Sequence, residues 1–485
     1  MYACTFRVLR PPAVVLTFTH VRAGALLSAP PRCVSTGPVD VRLAGMANES
    51  RTMSAPRPRL GHSASVATNV SAHRLSRRIA PADPTPPPPP PPAEPSVLEK
   101  AQAAFSATTE QMAGFRAATL AFHALAKDAE RVHISRPVGR LWSDCGGDAI
   151  EEMLEHVDLI DARFLLLLNK HRGVVPRWQH VPPAAKINGG QLWRLFGWER
   201  NFSLPVLVLS YPWLDPEHPD RQGEQLAKIV PILERMLPSC GGDAFTVGVL
   251  WDYMSLPQPV RNPAEAVRFT AGLQALTTWY AHPYTHVLLV TTPLPTGTSY
   301  KSLRPYEQRG WCEAERRTCG ISKCVHCLWD LSGYDPIALE GLEGMKAFDA
   351  LRAQLKSGRS APLAPDRFAA LVRRRLESGE LAFTAASDVD VVLEMYRAGF
   401  LRVFETYRRF DPQGFFAAWA GHDWGAAEAK QVAHALSYAA ERSSKTPSTL
   451  GGISLRFEGN LFGKDGQRDI RRAVHASKHF EAVIF

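Results

Sequence analysis

Acidic residues are missing from the start of the chain: positions 1 to 39 hold Arg7, Arg10, Arg22 and Arg32 and no Asp or Glu. That imbalance accounts for much of the net charge of +9. The remainder is closer to neutral, and no RNA-binding motif or aromatic-interleaved basic stripe accompanies it, so no nucleic-acid partner is expected. Long apolar runs are absent too. Val14–Phe18 is too short and interrupted to cross a bilayer, and no later stretch approaches a transmembrane helix, so no membrane partner is expected. Cysteine is sparse, with eight in 485 residues, which excludes a dense disulfide scaffold and suits a reduced compartment. Neither a Gly-x-Gly-x-x-Gly fingerprint nor a Walker phosphate loop occurs, which removes support for ordinary Rossmann dehydrogenases and P-loop kinases.

What is present divides the chain into segments. Seven consecutive prolines, Pro86–Pro92, must form a stiff polyproline II rod. The rod is a spacer, or alternatively a ligand for a proline-binding module. Residues 1–95 therefore read as a disordered Arg/Pro-rich tail and linker. The acid-free start is similar to an organellar transit peptide, so import is the alternative to a cytoplasmic location. Residues 96–200 read as helical, with Asp148 as a helix cap; 201–340 as an α/β domain; 341–425 as a helical extension; and 426–485 as an α/β tail.

The α/β reading rests on alternation. Leu204–Ser210, Phe245–Trp251, Val287–Val290 and Val325–Leu331 are apolar runs of the kind buried on both faces of a parallel sheet. Between them lie helical patterns: Leu226 to Leu237, which Pro231 should kink or shorten; a helix opened by Asn262 and Pro263; and one beginning near Trp311. The predicted fold is a doubly wound, mostly parallel sheet. Its ligand rim, at the carboxyl ends of the strands, would comprise Tyr211–Asp215, Asp252–Gln258 and the loop between Pro293 and Pro305. His282 and His286, flanking a strand start, are expected to be exposed.

Candidate chemistry centres on Arg309–Glu315. Helical positions four apart share a face, so Glu315 should lie beside the indole of Trp311, surroundings that can raise an acid's pKa towards general acid or base work. The competing pattern is an amphipathic helix with solvated glutamates, Arg309 pairing with Glu313 or Glu307 at the surface. Asp252 can be a site acid or a turn cap, and Gln258 a site group or a loop hydrogen-bonder. Cys312, Cys319, Cys324 and Cys327, with His326, are clustered in sequence. A strand over Cys324–Asp330 would turn Cys324 and Cys327 to opposite faces, which favours buried thiols over zinc.

Leu209-Ser-Tyr-Pro-Trp213, Trp251-Asp-Tyr-Met-Ser-Leu-Pro-Gln258 and Arg309-Gly-Trp311 with Glu315 resemble, in the same order, motifs of the heterokaryon-incompatibility (HET) and Toll/interleukin receptor (TIR) domain group. The resemblance covers about 130 of the 485 residues, roughly 202–334. It implies a flavodoxin/TIR-like fold, signalling or cell-death function, self-association, and hydrolysis of the nicotinamide glycosidic bond of NAD. Glu315 would be the catalytic carboxylate, Tyr211, Trp213, Asp252, Gln258, Arg309 and Trp311 the binding residues, and NAD the substrate, with no further cofactor. Departures from the pattern are Ala314, where HET domains usually have Gln; the Tyr-Met-Ser-Leu-Pro-Gln stretch after Asp252; and Pro257–Pro263 in place of the TIR glycine-containing loop. The alternative function is a non-catalytic interaction and assembly module. Separately, Leu450–Gly466 resembles a terminal leucine-rich repeat, with Leu455 and Asn460 at consensus places.

Overall fold

A computed structural model describes residues 97–130, 140–201, 203–240, 244–295, 300–410, 415–416, 419–442, 453–477 and 480–485. The acid-free start and the proline rod lie outside the described residues. The organising element is β3, Val206–Ser210, all five residues of which are buried. Side chains alternate across a strand, so Leu207 and Leu209 enter one hydrophobic core while Val206 and Val208 enter another. A strand buried on both faces favours apolar residues, and Ser210, equally buried at its end, is accommodated because its hydroxyl finds partners in Tyr306 and Glu315.

Around it the strands β1 (Leu159–Asp161), β2 (Lys186–Ile187), β4 (Gly248–Leu250), β5 (His286–Leu289) and β6 (Leu328–Asp330) form a six-stranded sheet in the order β2-β1-β4-β3-β5-β6. β3 pairs in parallel with β4 and β5, and β5 with β6. β1 runs antiparallel to β2 and β4, making the sheet mixed but mostly parallel. The chain thus steps from β3 to one neighbour, then crosses back to the other, so the order reverses at β3.

Helices cover both faces. On one lie α1 (Val97–Glu130), α4 (Ala162–Lys170), α5 (Glu224–Met236) and α9 (Gly344–Leu355); the short helices α2 (Arg140–Asp144) and α3 (Gly147–Met153), with α7 (Pro263–Ala281) and α8 (Gly310–Ser322), cover the other. α6, Asp252–Ser255, is a single turn after β4. The cap expected at Asn262 is formed, and as a capping box, its side chain accepting from Glu265 N and the Glu265 carboxylate from Asn262 N. Helix α3 starts instead after Gly146, whose left-handed φ of 69° sets the turn, and Asp148 lies in its first turn without capping it.

Several expectations are corrected. Pro231 lies inside α5 without shortening it: the helix continues to Met236, with Leu226, Ile229, Leu233 and Met236 fully buried and holding it on the sheet. Cys324–Cys327 is a turn, closed by Cys327 N donating to Cys324 O at 3.0 Å, and β6 begins only at Leu328. His282 and His286 are buried, not exposed, and burial drives both imidazoles down to about 3. The charge of Lys323, also fully buried, adds to the effect; its ammonium donates to the carbonyls of His282 and Thr285 at 2.5 and 2.8 Å, tying the end of α7 to the approach to β6.

Helices α10 (Pro365–Glu377) and α11 (Asp388–Phe410) share a core with Ala281, Ala314 and Ile321 of α7 and α8. The same core takes in a second, three-stranded parallel sheet, β7 (Phe415–Phe416), β8 (Ile453–Arg456) and β9 (Phe480–Ile484), with α12 (Ala426–Arg442) and α13 (Gly463–His475). Asn460 ties its turns together, its amide donating to Trp419 O and Phe457 O and its Oδ1 accepting from the backbone N–H groups of His422 and Trp424.

Gly114 in α1 shows how closely the first helix is seated. A Cβ there would lie 2.2 Å from the carbonyl oxygen of His171 and 2.8 Å from Gly173 N, both backbone atoms that cannot swing aside. Gly114→Ala is expected to lower stability by about 1–3 kcal/mol despite the better helix propensity of alanine. Denaturant unfolding measures it, and an unchanged midpoint would mean that α1 is not held at this distance.

Candidate active site

The reversal of strand order at β3 opens a position where three elements meet: the carboxyl end of β3, the carboxyl end of β4, and α8 arriving from the loop after β5. Ser210 Oγ, on the last residue of β3, donates to Glu315 Oε2 at 2.6 Å and shares a 2.6 Å hydrogen bond with the hydroxyl of Tyr306. Tyr280 of α7, whose hydroxyl donates to Leu209 O at 2.9 Å, lies close enough to Glu315 to favour its charged form. Glu315 as a residue is half-buried, and its carboxyl end is the buried part.

A second acid stands beside it. Asp252 follows β4, and its Oδ1 accepts from the hydroxyl of Tyr211 at 2.5 Å and from Tyr253 N at 2.7 Å, while Oδ2 accepts from Trp213 Nε1 at 3.0 Å. Asp252 thus both starts the next turn and joins the site. Burial raises its pKa against the opposing effect of these three donors. For Glu315 burial acts more strongly and the charge of Asp252 adds to it; together they outweigh the bond from Ser210 and the nearby Tyr280 hydroxyl and push the carboxyl up to about 8. At neutral pH Glu315 is thus largely protonated, while the Asp252 carboxyl, also shifted upward, is held by three donors.

The other expected residues divide. Tyr211 and Trp213 reach the centre through Asp252. Arg309 neither pairs with Glu313 nor faces the acids: it donates to the carbonyls of Trp213 at 2.6 Å, Ser302 at 2.7 Å and Arg304 at 2.7 Å, clamping the rim after β3 to the loop before α8. Gln258 is a loop hydrogen-bonder, its amide donating to Leu256 O at 2.9 Å and its backbone carbonyl accepting from Gln179 Nε2 at 2.7 Å. Trp311 turns to the other core and donates to Asp388 Oδ2 at 3.0 Å, so the group that holds Glu315 is the Ser210 hydroxyl rather than this indole. Residues 296–299 of the third rim loop lie outside the described residues.

Glu313 is the larger surprise. It is 2% exposed and ion-paired with Arg316 and Arg317 at 2.8 Å and with Arg375 at 3.2 Å. Burial alone would raise its pKa, but Arg317 and Arg316 hold it below the usual range. Sequence periodicity assigns Glu313 to solvent because it cannot see α10, which supplies Arg375.

Ser210, Tyr280 and Tyr306 were not singled out from sequence as site groups. Ser210 carried a usable signal, a lone hydroxyl ending a wholly apolar strand, whereas Tyr306 has none that spacing reveals. Among the four clustered cysteines, Cys312 donates to Tyr211 O at 3.6 Å, Cys319 and Cys327 are buried, and Cys324 is half-buried. No group of three or more His, Cys, Asp or Glu is placed to hold a metal ion among the described residues. Nor is any described helix long and apolar enough to cross a membrane. Against protein-family models, curated proteins and solved structures, the chain matches none.

The raised Glu315 pKa has a consequence for stability. Below the unfolded value near 4.5 both states are protonated; between 4.5 and about 8 the unfolded chain loses a proton that the folded chain keeps, so ionisation favours unfolding as pH rises. Glu315→Gln, which mimics the neutral acid, is expected to be more stable than the parent at pH 8 by up to a few kcal/mol. Thermal melts at pH 4.5 and pH 8 test this. The two proteins should converge at the lower pH, and equal melting temperatures at both would remove the shift.

Proposed function

We propose that residues 201–340 form a TIR/HET-like signalling domain that hydrolyses the nicotinamide glycosidic bond of NAD through Glu315. The reading takes the order β4-β3-β5-β6 of the parallel strands as flavodoxin-like, and the site as the crevice that such sheets offer where strand order reverses. What carries it is the Glu315 carboxyl, held by Ser210 at the end of β3 with Asp252 beside it. The three motif segments quoted above are the ones that meet there.

In the proposed reaction the C1′–N bond breaks and its electron pair moves to the nicotinamide nitrogen, leaving neutral nicotinamide and a developing cation on the ribose. The leaving group needs no proton, so the acid form of Glu315 contributes nothing to departure. Its carboxylate stabilises the ribosyl cation and accepts a proton from the water that attacks C1′. A cationic nicotinamide ring entering the site lowers the pKa of Glu315 by direct attraction, so substrate binding itself generates the active base. Trp213, held by Asp252 and only partly buried, supplies aromatic surface for the ring, while Tyr211 backs it from the core.

Purified chain at high concentration should consume NAD, with kcat/KM rising as pH increases through about 8, the value of Glu315 in the free protein. Glu315→Gln should lower turnover by roughly 10²- to 10⁴-fold and abolish that rise. Glu340→Gln, on an exposed turn, is the control; Glu313 is unsuitable because removing it strands three arginines. Equal NAD consumption by the parent and Glu315→Gln would refute the assignment.

The saturation of Asp252 by three donors favours one second reading, in which the same polar centre stiffens the rim for assembly with other copies. Concentration-dependent assembly with no turnover, unchanged by Glu315→Gln, would identify that case.

A further inference from the structure

The carboxyl ends of β5 and β6 frame a cleft of about 110 Å³, lined among others by Tyr306, Arg316, Asp330, Ser357, Arg359 and Ser360. It adjoins the acid pair without being part of it. Tyr306 lines the cleft with one part and with its hydroxyl bonds Ser210, the group that donates to Glu315, while Arg316 is the next residue of α8.

Its two arginines come from different elements and are held differently. Arg359 is 5% exposed, donates from Nη1 to Lys323 O at 2.6 Å, and stacks on Trp424 at 5.1 Å, so its guanidinium is set in place before any ligand arrives. Arg316 keeps one bond to Glu313, a carboxylate already served by Arg317 and Arg375. Even with Glu380 counted as the second partner of Arg375, three cations share two anions. The cleft also holds acids. Glu307 is exposed, and Asp330 Oδ1 already accepts from Thr291 and from the Ser332 amide and hydroxyl. A paired guanidinium site with adjacent serine hydroxyls matches a diphosphate, whose oxygens accept several charge-assisted bonds at once.

We propose that this cleft takes the diphosphate of the dinucleotide, with Arg316 and Arg359 as its cationic ligands, so that the nicotinamide ribose extends past Tyr306 to Glu315. The assignment rests on the NAD reading for its substrate, but its binding chemistry can be tested without turnover. ADP carries the diphosphate and lacks nicotinamide. Titrated calorimetrically into the full chain, it should bind, and inorganic pyrophosphate should displace it. Arg316→Gln should weaken ADP binding about tenfold or more, Ser360→Asp should weaken it at least as much by placing a negative charge in the cleft, and Arg468→Gln, on the exposed face of α13, should leave it unchanged. Under turnover Arg316→Gln should raise KM for NAD by a similar factor.

No ADP binding by the parent, failure of pyrophosphate to compete, or an affinity equal to the parent's in both cleft variants would overturn the assignment. If ADP binding depends on Arg316 but NAD is never consumed, the cleft stands and the glycohydrolase reading falls. If NAD is consumed through Glu315 while both cleft variants bind ADP like the parent, only the cleft falls.

Discussion

Burial of one carboxyl group against the end of β3 is the interaction on which the rest of this site depends. A carboxylate placed there loses its hydration, and the Ser210 hydroxyl that receives it, with Tyr280 nearby, offsets only part of that loss. The neighbouring charge of Asp252 adds to the deficit. The protein tolerates an acid that its folded state keeps protonated near neutrality because the surrounding frame is over-determined by packing. Both faces of β3 are filled, three tryptophans of the central strands and helices, Trp251, Trp279 and Trp329, are fully buried, and Lys323 locks α7 to the approach to β6. Stability lost at a polar centre and held by an apolar surround is the usual signature of a site shaped for something other than stability.

The frame also explains why the acids meet. Parallel strands must be connected by crossovers, and reversal of the strand order at β3 sends α5 to one face and α7 and α8 to the other. At that point α8 brings Glu315 against Ser210 at the carboxyl end of β3. Arg309 then fixes the rim by gripping three carbonyls, two of them in the loop before α8 and one in the loop after β3. Its charge therefore serves geometry, and it adds to the backbone bonds from Ser302 N to Leu214 O and from Lys301 N to Asp215 Oδ1 that join the two loops.

How far these features are legible in sequence follows from their range. The strands and the helices between them show as apolar runs and stripes because both signals are local, and the Asn262 cap is local too. The strand ends are less legible: Val325 to Cys327 is apolar enough for a strand but folds as a turn, since the ladder with β5 begins only at Leu328. Glu315 and Asp252 could be nominated from motif order, yet the partner of Glu315 is 105 residues away and the third arginine on Glu313 comes from α10. The burial of His282 and His286 depends on distant partners, Gly146 for the first ring and Ser203, Trp329 and Phe348 for the second, and no window of sequence contains those relations. What sequence misses here is contact between elements rather than the elements themselves.

The central physical claim is that Glu315 is a neutral acid in the resting protein at physiological pH. Carboxyl groups labelled with ¹³C at glutamate and titrated by NMR, with Glu315→Gln used to assign the resonance, measure it directly. A single glutamate resonance missing from the variant and titrating near pH 8 is the predicted result. A resonance titrating near the ordinary value of 4.5 would contradict the account.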